Sequence, residues 1–453
     1  MENKLNWKQA TLLFSLIFGM FFGAGNLIFP VHLGQMAGGH WGVATAGFLV
    51  SAVLLPLLAL LALAVTKSES VFDLVRPLGK RPALLFLVAL QLCLGPIIVA
   101  PRTATVAYSF SFANWLPSGH QQLGLVIFAL VYFLAVFWAS LQSQKLTNVI
   151  GRYLNPIFLV MLALIFILAI VSPMGSTHQV VSSGYQHSSF APAFIDGYNT
   201  VDALGALIFG VTIVNAIRNM GFKHENDVAK VMAKTGFLSM AVLAFVYLGL
   251  ILLGTTSLAH VKMSANGAIA LTDVVTFYFG RFGQIFLAVM GTVAVFTTAM
   301  GTLASFAHDL NRVWPKLSYK VWLAMACTLA FAMATLGLNN IITWALPVLM
   351  FLYPLAIVLI LLSLLSPWLG QGQWLYAWTV GLTLIPAVFD GLSQAPFAKS
   401  LGGLVSYTDG DISHQGWYQA HFFAASSGFG WLVPAIVGLI IGLICQRIFT
   451  KKN

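Results

Sequence analysis

The first long apolar segment of the chain is interrupted by the stretch Phe21-Phe22-Gly23-Ala24-Gly25-Asn26-Leu27-Ile28-Phe29-Pro30. Glycine costs roughly 1 kcal/mol relative to alanine in a helix interior, so a helix is weak at this point. In a bilayer, opened backbone persists only where protein or a water-filled cavity satisfies its polar groups. The stretch therefore indicates either a polar site at mid-membrane or a glycine face for close helix packing.

Composition identifies the class of protein. The 453 residues are 59% hydrophobic and 8% charged, against roughly 25% charged residues in soluble domains. We therefore expect an all-α polytopic membrane protein whose first span is not cleaved. The net charge of +10 comes from Lys and Arg in the loops between spans, and it does not indicate nucleic-acid binding. Cys93, Cys327 and Cys445 show neither a disulfide framework nor a metal-binding spacing.

Twelve spanning helices are predicted from apolar segments of about 20 residues. They cover 11–30, 41–65, 82–112, 123–141, 154–171, 197–218, 231–253, 282–306, 321–338, 341–365, 374–392 and 429–445. The outer side then holds only Lys262, Arg281 and Lys399, and Arg102 falls within a span, so the remaining Lys and Arg residues lie on the other side. This bias predicts that both termini are cytoplasmic. A polar outer segment, 264–280, has the pattern of an amphipathic helix.

A second interruption lies in the sixth span, where Asp202 is followed by Gly205 and Gly210. A carboxylate inside a membrane helix costs roughly 2.5–3.5 kcal/mol on insertion scales, so it should face a cavity or a partner. Five spans separate the starts of the two interrupted helices, which places them in opposite orientations. This pattern is typical of an inverted-repeat transporter with a site at the midplane. The alternative is two unrelated glycine-containing helices.

The predicted organisation has three parts. A first five-helix repeat covers 8–172, an inverted second repeat covers 196–366, and two additional helices lie within 367–453. In this arrangement the helix that begins near Gly25 and Asn26 presents free N–H groups and the positive end of its dipole to an anion such as a carboxylate. The carbonyl groups from Gly19 to Phe22 suit a cation, and Asp202 with the freed carbonyls around Ala203 suits an ammonium group.

Two other features of the spans bear on function. Thr297 and Thr298 place adjacent hydroxyl groups beside small residues, where they could bind Na⁺ or bond their own backbone. Arg102 lies about 15 Å from the outer end of its helix at 1.5 Å per residue, so it is too deep to reach the surface easily. We therefore expect a buried partner for Arg102, such as Asp202.

The sequence resembles the bacterial branched-chain amino acid:cation symporter family over nearly its whole length. The resemblance rests on residues 22–30, on Gly95-Pro96, on residues 101–106, and on Tyr198 with Asp202-Ala203-Leu204. This family is similar to the wider group with the five-plus-five inverted-repeat fold of the leucine transporter. The resemblance implies that Gly25 and nearby N–H groups bind a substrate carboxylate. It also implies that Na⁺ is held by carbonyls of Gly19, Phe22 and Ala294 and by the hydroxyls of Thr297 and Thr298.

The chain departs from related amino acid transporters in two places. Leu27, Ile28 and Phe29 occupy the stretch where relatives often carry a gating arginine, so we expect an outer gate built from Arg102 or from aromatic residues. The fifth span contains no Lys or Arg, whereas proton-coupled relatives can place a lysine there at the sodium position. This absence favours Na⁺ coupling, with proton coupling as the alternative.

The sequence is thus interpreted as a secondary transporter that imports leucine, isoleucine and valine with Na⁺ by alternating access in a bacterial inner membrane. It is predicted to use no cofactor beyond Na⁺ as the coupling ion. The alternatives are another small solute or another ion. An enzyme or a channel is disfavoured because neither a cluster of acids and histidines nor a repeated pore motif is visible. The candidate substrate-binding residues are Gly23, Ala24, Gly25, Asn26, Asp202, Ala203 and Gly205, with Phe21, Phe209 and Phe296 as side-chain pocket candidates or ordinary core.

Overall fold

The structure, a computed structural model, describes residues 5–68, 70–113, 116–141, 160–222, 224–409 and 412–450. Its helices are α1 Trp7–Phe21, α2 Ala24–Ala37, α3 Trp41–Leu49, α4 Leu55–Thr66, α5 Val71–Val75, α6 Lys80–Leu92, α7 Val99–Ser111, α8 Gln121–Leu141, α9 Val160–Val171, α10 Ser183–Gln186, α11 Phe190–Tyr198, α12 Asp202–Asn219, α13 Glu225–Ser257, α14 Gly267–Val313, α15 Tyr319–Ala334, α16 Leu338–Leu369, α17 Gln373–Ser393, α18 Trp417–His421 and α19 Leu432–Thr450. A short antiparallel hairpin, β1 Tyr407–Asp409 and β2 Ile412–His414, pairs Tyr407 with His414.

The helical membrane architecture is confirmed, whereas the count of twelve spans stays a prediction. Among the described residues, eight helices are long and apolar enough to cross a membrane, or nine if the bent pair α11–α12 is one span. One of these candidate spans, Ala24–Thr66, contains the C-terminal part of the first predicted span and the whole of the second. Helices α9 and α15 are apolar but shorter. The predicted fifth span, 154–171, lies partly outside the described residues.

The first predicted interruption is a break between helices, whereas the second break lies just before the predicted stretch, because α12 is continuous through Gly205 and Gly210. Helix α1 ends because Phe22 and Gly23 are extended, with φ/ψ of −76°/97° and −130°/−166°. The second break precedes α12, where Val201 takes a left-handed conformation with φ 63° and ψ 13°. This conformation is strained for a β-branched residue, and it bends α11 against α12 by 42°. The breaks expose backbone polar groups at two places in the interior.

A third break lies in α14 at Gly280, whose φ of 57° and ψ of −145° favour glycine. It separates a helix over 267–279 from the long helix that continues to Val313. The amphipathic helix predicted over 264–280 is therefore confirmed. Ile28 lies against this helix, because a Cβ on Gly267 would come within 1.7 Å of the Ile28 carbonyl oxygen.

Helix α2 is the most enclosed part of the first interrupted segment, and it packs against α13 and α14. Close approach to α13 depends on two glycines. A Cβ on Gly34 would lie 2.0 Å from the Ile251 carbonyl oxygen, and a Cβ on Gly254 would lie 1.9 Å from that of Val31. The glycine packing face considered for this part of the sequence therefore exists, but it is formed by Gly34 and Gly254.

Replacing Gly34 by Ala is expected to destabilise the protein by about 1–3 kcal/mol, because the new methyl group overlaps the backbone of α13. The matched control is Gly42→Ala on α3, where an added Cβ meets no atom within 4 Å. Thermal unfolding of the two purified variants in detergent measures the difference. Equal melting temperatures would show that the α2–α13 contact tolerates a side chain.

Candidate functional site

A small cavity of about 40 Å³ lies between the two breaks. Eight of the predicted substrate-site residues line it together: Phe21, Gly23, Ala24, Gly25, Asn26, Asp202, Gly205 and Phe209. Arg102 and Thr298, predicted for the charge pair and the ion, also line this cavity. The tertiary structure thus brings residues far apart in sequence to one enclosed place at the opened backbone.

Asn26 joins the two breaks through hydrogen bonds in both directions. Its Oδ1 accepts the backbone N–H of Gly23 at 3.0 Å, so it caps the start of α2. Its Nδ2 donates to Oδ2 of Asp202 at 2.7 Å and also contacts the Tyr247 hydroxyl. Asn26 is 2% exposed. The amide therefore couples the conformation of the first break to the position of the carboxylate at the second.

Asp202 is buried and hydrogen-bonded, but no cationic side chain in the described part of the chain pairs with it. Besides Asn26, the hydroxyl of Tyr247 donates to Asp202 Oδ2 at 2.7 Å. Thr200 Oγ1 accepts the backbone N–H of Asp202 at 3.4 Å. Burial of a carboxylate without a counter-charge is costly, so this group is stabilised by a bound cation or by a proton.

Sequence reasoning missed Tyr247, which lies on α13. Nothing near it in the sequence distinguishes it from other aromatic residues of a long apolar helix. It is fully buried, and Phe48 packs edge-on against its ring at 5.3 Å between centroids. Only the packing of α13 beside α2 and α12 reveals the contact of its hydroxyl with Asp202.

The predicted ion pair between Arg102 and Asp202 is not formed in this structure. Arg102 instead donates from Nη1 to the carbonyl oxygen of Asn199 at 2.5 Å, and its guanidinium carbon lies 4.8 Å from the centre of the Phe29 ring. The break before α12 frees the Asn199 carbonyl, so a backbone acceptor replaces the expected carboxylate. Arg102 is 2% exposed, and its Nε and Nη2 have no hydrogen-bond partner within the part of the chain that the structure describes.

The predicted ion ligands are only partly assembled. A Cβ on Gly23 would lie 3.3 Å from Thr298 Oγ1, so this hydroxyl group lies against the first break. Thr297 Oγ1 donates to the Ala294 carbonyl at 2.8 Å, and Thr298 Oγ1 does so at 3.5 Å. Gly19, Thr297 and Thr298 line a second, much larger cavity of about 2220 Å³. Phe22 and Ala294 are not among the residues lining either cavity.

Two candidate residues do not line the small cavity: Ala203, predicted for the substrate site, and Phe296, interpreted as a pocket candidate or as ordinary core. Ala203 is fully buried in the first turn of α12 and does not line the small cavity. Phe296 packs edge-on against Tyr132, with 5.4 Å between ring centroids, and lines neither cavity. Neighbouring residues of a helix point about 100° apart, so only some of them face the break.

The large cavity adjoins the small one. Met20, Phe209, Thr298 and Thr302 line both. The large cavity is also lined by residues near the ends of several helices, including Trp7, Lys8, Lys80 and Arg312. It therefore leads from the side of the molecule that carries the start of α1 to the breaks. Sequence reasoning did not predict that Met20 and Thr302 lie at this junction.

The fold of the chain is similar to that of a transporter of known structure. The chain resembles MHP1, a nucleobase-cation-symport-1 family transporter in a closed conformation with bromovinylhydantoin bound, with a TM-score of 0.56. The match covers 97% of this chain and 92% of that one at 15% sequence identity. At this identity the likeness concerns the fold alone.

Several proteins have a higher sequence identity to this chain than the transporter of known structure has. The chain is 35% identical to branched-chain amino acid permease BrnQ of Lactobacillus delbrueckii subsp. lactis over 100% of both chains. It is 33% identical to BrnQ of Escherichia coli K12, covering 99% of this chain and 98% of the relative. The transport system 2 carrier protein for branched-chain amino acids of Pseudomonas aeruginosa is 34% identical, with 97% and 96% covered. These relatives are carriers, which confirms the prediction of a transport protein rather than an enzyme.

The family described as branched-chain amino acid transport protein matches residues 6–449, nearly the whole chain. The match includes both helix breaks and every residue that lines the small cavity. It also includes the predicted Na⁺ ligands on α1 and α14. The chain belongs to the branched-chain amino acid transport protein family.

Proposed function

We propose that the protein imports leucine, isoleucine and valine together with Na⁺ by alternating access. The observation that carries this proposal is the small cavity between two helix breaks, with the start of α2 on one side and Asp202 on the other. The names of the relatives supply the substrate class. The proposed architecture is a five-plus-five inverted repeat with two further C-terminal helices. The proposed location is the bacterial inner membrane, with both termini cytoplasmic.

The amino acid head group fits the polar ends of the small cavity. The first amides of a helix lack intrahelical partners and carry the positive end of its dipole, so Gly25 and its neighbours suit the carboxylate. The negative charge of Asp202 suits the ammonium group. The side chain would pass Met20 and Phe209 toward the large cavity. Discrimination among the three aliphatic side chains should be weak, since one methylene group is worth about 1–3 kcal/mol.

The shape of the interior fits one state of a transport cycle. The large cavity leads to the side with Lys8, Lys80 and Arg312, which the charge bias assigns to the cytoplasm. The proposed state is therefore inward-facing. On the other side, the contact of Arg102 with Asn199 and Phe29 links α7, the second break and α2, and it is our candidate for part of the outer gate.

Uptake of labelled leucine by proteoliposomes, with and without an inward Na⁺ gradient, tests the proposal. We expect uptake to follow the Na⁺ gradient and to be inhibited by isoleucine and valine. Replacement of Na⁺ by choline should abolish accumulation. Uptake that follows a pH gradient and ignores Na⁺ would favour the proton-coupled alternative, for which the buried carboxylate of Asp202 would be the natural carrier.

Thr298→Ala is expected to raise the Na⁺ concentration for half-maximal uptake by about tenfold, since loss of one oxygen ligand is worth roughly 1–2 kcal/mol. Its hydroxyl group is only weakly bound to the Ala294 carbonyl, at 3.5 Å, and is available to an ion. Thr302→Ala is the matched control, because that hydroxyl donates to backbone carbonyls at 2.9 and 3.2 Å. Equal changes in the two variants would mean that the ion binds elsewhere.

A further inference from the structure

Arg102 combines burial with unused hydrogen-bonding capacity. The guanidinium group has five N–H donors, yet its only hydrogen bond among the described residues is that from Nη1 to the Asn199 carbonyl. Nε and Nη2 are buried without a partner. Buried polar groups are normally satisfied, so unpartnered donors on a side chain that lines a cavity point to a ligand with acceptor atoms.

The guanidinium group of Arg102 lies against the start of α2. A Cβ on Gly25 would lie 3.5 Å from Arg102 Nη1, in ordinary contact, and both residues line the small cavity. The positive end of the α2 dipole and a full positive charge therefore act on the same small volume. Two independent features of this wall of the cavity favour an anion.

The charges that line the cavity are balanced. Arg102 supplies one positive charge and Asp202 one negative charge, and the other lining residues are neutral. The two groups are not paired with each other, because each is held by different neutral partners. This charge pattern matches the carboxylate and ammonium groups of an α-amino acid, and the adjoining large cavity offers room for the rest of the molecule.

We propose that Arg102 binds the substrate carboxylate directly, so that Arg102 and Asp202 together select zwitterionic α-amino acids. The inference rests on the proposed function and adds a specificity-determining residue to it. Nε and Nη2 form the fork that matches a carboxylate in two parallel hydrogen bonds. The bond from Nη1 to Asn199 holds the guanidinium group in place. A solute that lacks either charge leaves one buried group uncompensated, and it is rejected for that reason.

Ligand analogues separate this role from a structural one. Leucinamide keeps the ammonium group but lacks the carboxylate charge. Binding of leucine and leucinamide is measured by ligand-induced thermal shift on purified wild-type protein and on Arg102→Gln. We expect Arg102→Gln to weaken leucine binding by about 10- to 100-fold, the usual range for a lost charge-assisted hydrogen bond. Leucinamide binding should change by less than about threefold, so the preference of the wild type for leucine collapses.

Two further variants make the result decisive. Arg102→Lys keeps the positive charge but lacks the pair of parallel N–H donors. It should therefore lose part of the leucine affinity and leave the leucinamide affinity unchanged. If Arg102→Gln does not fold, Arg102→Lys tests the inference in its place. Thr105→Val is the control on the same helix, because its buried hydroxyl donates only to backbone carbonyls of α7. We expect it to leave both affinities unchanged.

The possible failures are distinguishable. If the Arg102 variants weaken leucine and leucinamide equally, or weaken neither, Arg102 does not bind the carboxylate and the inference is overturned. In either case the proposed function would still stand, provided that the wild-type protein binds leucine in the same experiment. If wild-type protein binds no branched-chain amino acid, the proposed function itself fails.

Discussion

Asp202→Asn is expected to reduce leucine affinity by at least about 100-fold, because an ammonium group in an enclosed cavity would lose its counter-charge. Asparagine keeps the shape of the side chain and can still accept hydrogen bonds from Asn26 and Tyr247. The variant should therefore fold, with a melting temperature close to that of the wild type. Binding of labelled leucine to purified protein measures the loss.

Tyr247→Phe is the matched control for this prediction. It removes one neutral donor to Asp202 but leaves the carboxylate charge, so affinity should fall by about tenfold or less. A second readout uses 4-methylpentanoate, which is leucine without its amino group. Its weak binding should not fall further in Asp202→Asn. If Asp202→Asn binds leucine within about threefold of the wild type, the ammonium group lies elsewhere.

Asn26→Ala is expected to reduce leucine uptake by more than about tenfold and to lower stability by roughly 2 kcal/mol, because it leaves buried polar groups unsatisfied. The Gly23 N–H loses its acceptor, and Asp202 loses one of its two side-chain donors. Both helix breaks are then free to shift. Uptake by proteoliposomes, leucine binding and thermal unfolding separate the functional loss from the structural one.

Gln35→Ala on the same helix is the control for the change at Asn26. Gln35 is also a buried amide, and it bonds Ser257 and the backbone N–H of Ser264, each at 3.1 Å. It lies outside the lining of both cavities. We expect similar destabilisation with leucine affinity unchanged. If the two variants lose affinity to the same extent, Asn26 acts through general stability and not through the site.

Local sequence signals predicted the two breaks because these signals act on the backbone itself. Glycines beside a polar residue weaken a membrane helix wherever it packs, and a carboxylate within a span demands a cavity. The structure places the first break where the sequence indicated, at Phe22–Gly23, but the second lies just before Asp202, and the helix is continuous through Gly205 and Gly210. The left-handed conformation of Val201 was not predictable, since a valine gives no local preference for it.

Side-chain partners were predicted less well, because they depend on how helices rotate and approach one another. The charge of Arg102 suggested Asp202 as its partner, but the second break presents the Asn199 carbonyl at that place. The carboxylate of Asp202 instead accepts hydrogen bonds from Asn26 and Tyr247. Phe296 was one of several equivalent aromatic candidates, and the rotation of α14 turns it toward Tyr132.

The sequence by itself determined the membrane class, the family, the two helix breaks and most of the residues that meet between them. These features follow from composition and from local backbone energetics, which do not depend on distant contacts. Only the tertiary structure decided that Asn26 bridges the breaks, that Tyr247 joins the site and that Arg102 keeps unused donors beside Gly25. The reason is physical: hydrogen bonds of about 3 Å depend on helix rotation and separation, which only packing of the complete chain determines.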